Sequence, residues 1–260
     1  MIDEIANGFL FLTCEQFIIP IIMLGYIWID RDKFFHATCL ILMSMIFNTT
    51  LKVIFQIPLN PLLGKDGFAF PSGHMQSATT FFAWLAYRIN SFAMRISIIA
   101  ILTGIGISLV YFKYHNYYDV LVAVFFAFLL IIAYNQINKA QLTKNKTSWI
   151  IVCISTILVA YIWFKTKQIE SHIWMSYYSL IGFILSERIF YRVNVFASFS
   201  QKTARTIICF FLVFGVMFIF PNKTIISLPL SITNLIWLII GFIVPATSRL
   251  TSISKQTCDN

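Results

Sequence analysis

Charge is what this sequence has least of. Charged side chains make up 11% of its 260 residues against 59% hydrophobic, far from the quarter or so that a soluble domain carries on its surface. A soluble globular enzyme is excluded. Cysteine is sparse and scattered, at Cys14, Cys39, Cys153, Cys209 and Cys258 with no Cys-x-x-Cys spacing, so neither a disulfide framework nor a zinc site is expected. No basic n-region opens the chain: Asp3 and Glu4 stand there, and Glu15 interrupts the first apolar run, so the first span is expected to stay in the mature protein. There is no repeat and no low-complexity linker. The tripeptide Asn222-Lys223-Thr224 matches a glycosylation acceptor, a pattern common by chance.

What the chain has instead is apolar sequence from end to end. A spanning helix needs about 20 predominantly apolar residues, and nine such stretches are read at 8–29, 35–56, 72–89, 94–112, 117–136, 148–164, 172–187, 206–220 and 227–246. The expected fold class is all-α, a polytopic transmembrane helical bundle. Lysine and arginine accumulate in cytoplasmic loops. With nine spans and the amino terminus outside, the inner face holds Arg31, Lys33, Arg88, Arg95, Lys139, Lys144, Lys146, Arg188, Arg192, Lys202, Arg205, Arg249 and Lys255, and the outer face Lys52, Lys65, Lys113, Lys165, Lys167 and Lys223. That split of thirteen to six puts the carboxyl terminus in the cytoplasm. The net charge of +9 is thereby explained by topology and anionic headgroups, without a nucleic-acid partner. The expected location is a bacterial inner membrane.

The residues that carry chemistry lie before residue 137. Lys52, near the outer end of the second span, reads alone as a snorkelling lysine. A loop punctuated by Pro58, Pro61, Gly64 and Gly67 then delivers the chain to Pro71-Ser72-Gly73-His74, which opens an apolar run. Proline followed by a small polar residue is a helix-start signal. The unbonded N–H groups of such a start form an anion site, approached closely at Ser72 and Gly73, with His74 beside it. Ser108 ends the fourth span, followed by His115 and Asp119. Those two are four residues apart and share a helix face, so the carboxylate can accept a proton from one imidazole nitrogen and leave the other basic. An acid at headgroup level is a functional candidate; an interfacial polar cluster is the plain alternative.

These residues resemble the type 2 phosphatidic acid phosphatase (PAP2) superfamily, whose motifs are Lys-x6-Arg-Pro, Pro-Ser-Gly-His and Ser-Arg-x5-His-x3-Asp. Lys52 matches the first lysine, Pro71 to His74 the second motif, and Ser108, His115 and Asp119 the third. The resemblance covers about residues 51–125. It implies His115 as nucleophile forming a phosphohistidine, Asp119 orienting it, and His74 as the acid for the leaving oxygen. Lys52, Ser72 and Gly73 would hold the phosphoryl oxygens with Ser108, and neither metal nor cofactor is implied. Two departures stand out: Leu59 and Asn60 replace Arg-Pro, and Leu109 replaces the third motif's arginine. Lys113 and Lys65 lie on the correct face to supply charge, although lysine lacks the bidentate guanidinium fork.

The expected function is an integral-membrane phosphatase, or lipid phosphotransferase, acting on a lipid phosphate or diphosphate at the extracytoplasmic face. A sugar-phosphate phosphatase of glucose-6-phosphatase-like layout and a catalytically silent lipid-binding protein stay open beside it. A transporter is suggested only by the span count and Glu15. The expected division is a PAP2-like core at 1–137, a cytoplasmic loop at 138–147 and additional membrane helices at 148–260. His36 reads as solvated at the inner interface, His172 has no assigned role, and Gly104 and Gly106 are candidates for close helix packing.

Overall fold

A computed structural model describes residues 1–59, 67–89, 91–139, 144–190, 197–219 and 229–249. Asn60, Lys65, Arg192, the Asn222-Lys223-Thr224 tripeptide, Lys255, Cys258 and residues 140–143 of the expected 138–147 loop lie outside the described residues, as do the side chains of Lys144 and Lys146, while the rest of that stretch belongs to helices ending at Lys139 and starting at Lys144. The helices are α1 (Ile2–Phe11), α2 (Glu15–Leu24, continued by a π-helical turn at Gly25–Ile29), α3 (Arg31–Phe55), α4 (Gly73–Arg88) and α5 (Phe92–Tyr111). They continue with α6 (Tyr117–Lys139), α7 (Lys144–Thr166), α8 (Ser171–Ile189), α9 (Phe199–Ile219) and α10 (Leu230–Thr247). No strand forms among the described residues. The protein is an all-α helical membrane protein.

A helix stands at each of the nine expected spans, but the count by length and apolarity is six, or seven if the bent pair α1–α2 is one span. The difference lies in α4 and α8. The 16-residue α4 is diluted by Gln76, Thr79 and Thr80, all 0% exposed. Its polar residues face inward, so a helix sheltered by neighbours needs no apolar window of its own. In α8, Ser176 and Ser186 are buried in the same manner. The first span is broken: α1 and α2 meet at 50°. Glu15 therefore opens a helix, where an acid complements the dipole, rather than interrupting one.

The chain forms two compact units. The first comprises Met1–Ile19 and His36–Ile169; the second comprises Pro20–Phe35 and Glu170–Asn260. In the first, α1 packs on α5, and α4 packs on both α5 and α6. Gly104 takes the Phe9 ring where a Cβ would stand, and a Cβ on Gly106 would meet Val120 at 3.2 Å. Both glycines serve close helix approach. Large apolar side chains turned outward on α5, α6 and α7 (Ile99, Ile107, Leu121, Phe125, Ile157) are exposed, as lipid-facing surfaces are. Trp149 and Trp163 mark the two ends of α7, a placement that suits the two interfaces.

The helices of this unit share ends. Chain direction brings the last turns of α3 and α5 and the first turns of α4 and α6 to one side. At the other end His36 Nδ1 lies 2.8 Å from the Tyr134 hydroxyl, and Trp84 makes edge contacts with both rings at 5.9 and 5.7 Å. His36 is half-buried and bonded, not solvated.

In the second unit, α8 and α10 are interlocked through small residues. A Cβ on Gly182 would meet the Leu238 carbonyl at 2.0 Å, and one on Gly241 the Ser179 carbonyl at 2.1 Å. Ser179 Oγ donates to the Trp237 carbonyl at 3.2 Å. Arg31 Nε donates to Glu187 Oε2 at 2.9 Å and to the Tyr26 hydroxyl at 2.8 Å, and Tyr26 donates to the same carboxylate. This satisfied cluster accounts for Glu187.

Candidate functional site

Five residues separate α5 from α6, and the ends of both helices dictate how His115 is held. The Leu109 carbonyl accepts from the N–H groups of Tyr114 at 3.1 Å and His115 at 3.3 Å, closing the end of α5 over its own last turn. Asn116 then starts α6. Its Oδ1 accepts from the Asp119 N–H at 2.9 Å while Asp119 Oδ2 accepts from the Asn116 N–H at 3.0 Å, a reciprocal capping box. The carboxylate of Asp119, 5% exposed, is thereby fixed before it meets any imidazole. His115 Nδ1 lies 3.4 Å from Asp119 Oδ2, a contact that becomes an ion pair only when the imidazole is protonated, and it lacks hydrogen-bond geometry. Nε2 is the nitrogen turned away from that carboxylate.

The second motif meets this pair through the backbone. The Ser72 N–H donates to the Asp119 carbonyl at 3.2 Å, joining the entrance of α4 to the first turn of α6. Ser72 occupies the N-cap of α4, yet its side chain makes no cap bond. Its hydroxyl is buried without a partner. By contrast, Ser91 caps α5 by accepting from the Met94 N–H at 3.4 Å. The first bond inside α4 runs from the Gln76 N–H to the Ser72 carbonyl at 3.0 Å. The N–H groups of Gly73, His74 and Met75 thus have no acceptor within the helix, and the dipole there favours an anion.

Charge arrives from α3. The Lys52 ammonium is near enough to act electrostatically on both imidazoles, and His74 acts on His115. His74 is exposed. Burial disfavours the His115 imidazolium and holds its pKa below the ordinary 6.5. The Asp119 carboxylate opposes this, and Lys52 and His74 reinforce it. The structure therefore brings Lys52, the Ser72–His74 turn, His115 and Asp119 to one place. Ser108 also lies there, 2% exposed, but its hydroxyl donates to the Gly104 carbonyl of its own helix at 2.7 Å. Lys113 sits on the same loop with a left-handed φ of 57° and an exposed side chain.

Both arginine positions of the motifs hold packed leucines. Leu109 is 1% exposed. The Leu59 N–H donates to the Gly67 carbonyl at 2.9 Å, and its Cδ1 would be 3.2 Å from a Cβ on Gly67. Two residues escaped sequence reasoning. Asn116 was legible as a cap three residues before an acid. Asn48, whose Nδ2 donates to the Pro71 carbonyl at 3.2 Å and to Gln76 Oε1 at 2.9 Å, was legible only as a polar residue one turn before Lys52.

Beside the site an apolar groove of about 380 Å³ runs between α4, α5 and α6. It starts at Met75 and Tyr117 and passes Gly106, Val120 and Leu121 to Phe128, a length of about 16 Å along α6 at 1.5 Å per residue. No group of three or more metal-ligating side chains occurs among the described residues.

Residues 33–142 match the family model of the PAP2 superfamily. No curated protein and no solved structure matches the chain. Over that segment the chain is similar to the PAP2 superfamily, with leucine at both motif arginine positions. That match and the apolar helices fit a membrane phosphatase-like protein.

Proposed function

We propose that the chain is an integral-membrane phosphatase that removes phosphate from a lipid phosphate or diphosphate at the extracytoplasmic face, through a phosphohistidine at His115. The observation that carries this reading is the Ser72–Asp119 backbone bond at 3.2 Å. It sets an uncapped helix start, with its spare N–H groups, against a histidine paired to a carboxylate.

In the proposed reaction His115 Nε2 attacks phosphorus while the Asp119 carboxylate, 3.4 Å from Nδ1, closes to hydrogen-bond distance as positive charge develops on the ring. The P–O bond to the lipid breaks as His74, entering protonated, gives its proton to the departing oxygen. Water then attacks the phosphohistidine, the P–N bond breaks, and His74 takes the proton from that water. A second lipid hydroxyl in place of water makes the same step a phosphotransfer. Lys52, Ser72, the Gly73 N–H, Ser108 and Lys113 are the proposed phosphate-binding set, and fixed donors and cations meet the charge on the transferring group without a metal.

A lipid is favoured over a soluble sugar phosphate because the groove at Met75 and Tyr117 is apolar and opens where tails lie. The outer-face assignment follows from the thirteen-to-six distribution of basic residues, with the amino terminus outside. The core at 1–137 carries the chemistry, and the helices after residue 148 act as scaffold or substrate-side wall.

The test is phosphate release from phosphatidic acid, a polyprenyl diphosphate and glucose-6-phosphate by the purified chain and by His115→Ala. Turnover on a lipid with an acid-labile phosphoenzyme, both lost in His115→Ala, is expected. Turnover that survives the substitution removes the mechanism. A catalytically silent lipid-binding protein is the second reading, favoured by the packed Leu109. Folded protein without turnover on any of the three substrates selects it.

A further inference from the structure

Ser44, Asn48 and Lys52 follow one another at intervals of four on α3 and so form one row along the helix. Against that row α4 sets Gly73, Gln76 and Thr80. Thr80 Oγ1 donates to Ser44 Oγ at 3.2 Å, and Gln76 Nε2 reaches the Ser44 carbonyl at 3.5 Å. At the head of this ladder Asn48, 4% exposed, directs Nδ2 to the Pro71 carbonyl and to Gln76 Oε1. Its Oδ1 lies where a Cβ on Gly73 would come within 3.1 Å. The reverse orientation of the carboxamide would aim an oxygen at the Pro71 carbonyl, so hydrogen bonding fixes which way it points.

The carbonyl of Pro71 and the N–H of Ser72 belong to one peptide group. Asn48 holds its oxygen at 3.2 Å and the Asp119 carbonyl holds its hydrogen side at 3.2 Å. A planar unit gripped at both ends cannot rotate. The plane before Gly73 sets the direction from which α4 begins, and with it the aim of the spare N–H groups of Gly73, His74 and Met75. Donors aimed where charge develops act in proportion to how well they are fixed beforehand.

We propose that Asn48 is a positioning residue for the phosphate site. It touches no phosphate itself; it fixes the Pro71–Ser72 peptide so that the first N–H groups of α4 converge on a transferring phosphoryl group. Lys52, one turn further along the same row, is registered to those donors by the same helix. The inference rests on the proposed phosphatase reading and deepens it.

The experiment uses the full chain in detergent, with orthovanadate as a five-coordinate probe and inorganic phosphate as a ground-state probe. Both dissociation constants are measured for the wild type, Asn48→Leu, Asn48→Ser and Thr80→Val, together with kcat, KM and thermal unfolding. In both Asn48 variants kcat falls and vanadate binding weakens by about 10- to 100-fold, while KM and phosphate binding change less than about threefold, the pattern of an interaction made in the transition state. Thr80→Val removes a bond of the same ladder away from the turn. It lowers the unfolding temperature and leaves the vanadate constant at its wild-type value. Asn48→Ser is the milder variant that keeps the test open if Asn48→Leu does not fold. A folded Asn48 variant with wild-type vanadate binding and kcat overturns the inference, and where turnover still depends on His115 the phosphatase reading survives it. Equal weakening of vanadate and phosphate, or equal effects in Thr80→Val, reduces Asn48 to packing and also overturns it. A wild-type chain that binds no vanadate removes both together.

Discussion

Asn48 and Asp119 hold opposite ends of one peptide group, the first through its side-chain amide to the Pro71 carbonyl and the second through its backbone carbonyl to the Ser72 N–H, each at 3.2 Å. Residues 71 sequence positions apart thus decide how a four-residue motif is presented. Asp119 has a double duty here, because its carboxylate also caps α6 and faces His115.

Asn116→Ala removes the cap whose Oδ1 accepts from the Asp119 N–H. Thermal unfolding is expected to show a loss of about 1 kcal/mol. Because the same box fixes the carboxylate facing His115, kcat should fall more steeply than stability alone accounts for. Asn116→Ser, which can rebuild the cap, should recover most of both.

Burial holds the His115 pKa below 6.5. Its neutral, nucleophilic form therefore persists as the pH falls through 6.5, and the acid-side loss of reactivity comes at lower pH. The rate of His115 carbethoxylation by diethyl pyrocarbonate against pH, in a His74→Ala background, measures this. Asp119→Asn removes the charge that raises the pKa and should move the midpoint down. Lys52→Met removes a charge that lowers it and should move the midpoint up. Identical midpoints in all three proteins would contradict the electrostatic account.

Replacing Leu109 by arginine does not restore a motif in this fold. Leu109 is 1% exposed, and an unpaired charge forced into such a place costs several kcal/mol. Loss of folded protein on size-exclusion chromatography is expected for Leu109→Arg. Leu59→Arg, at a half-buried position beside Gly67, should fold. Faster turnover in folded Leu109→Arg would show that the side chain there faces the phosphate.

Gly241→Ala should destabilise the second unit, since its Cβ would stand 2.1 Å from the Ser179 carbonyl. Backbone gives way less readily than a side chain, so a loss of about 1–3 kcal/mol is expected. Gly215→Ala, where nothing lies within 4 Å, is the control. Equal unfolding temperatures would refute the interlock.

The helices were legible because each is an apolar run bounded by polar breaks, and the motif residues were legible because their order and spacing are rigid. Three features were not. The bend between Phe11 and Glu15 falls at a polar break too short to end the apolar window around it, so the two helices read as one span. The pairing of His36 with Tyr134 joins residues 98 positions apart, which no local pattern encodes. The polar content that disqualifies α4 as an apolar span is also what bonds it to α3; a span was counted there because polarity averages out along a run while hydrogen bonds depend on the face. The row Ser44, Asn48, Lys52 shows how much spacing offers: an intramembrane amide one turn before a candidate phosphate-binding lysine, with its bond to the Pro71 carbonyl left unseen.

The contact of Trp84 with Tyr134 at one end, and of Ser72 with Asp119 at the other, ties α4 to α6 at both extremities. Two helices tied at both ends are expected to resist being parted. On the proposed reading, a bulky molecule entering the groove would displace α5, seated at Gly106 against Val120, sooner than part α4 from α6.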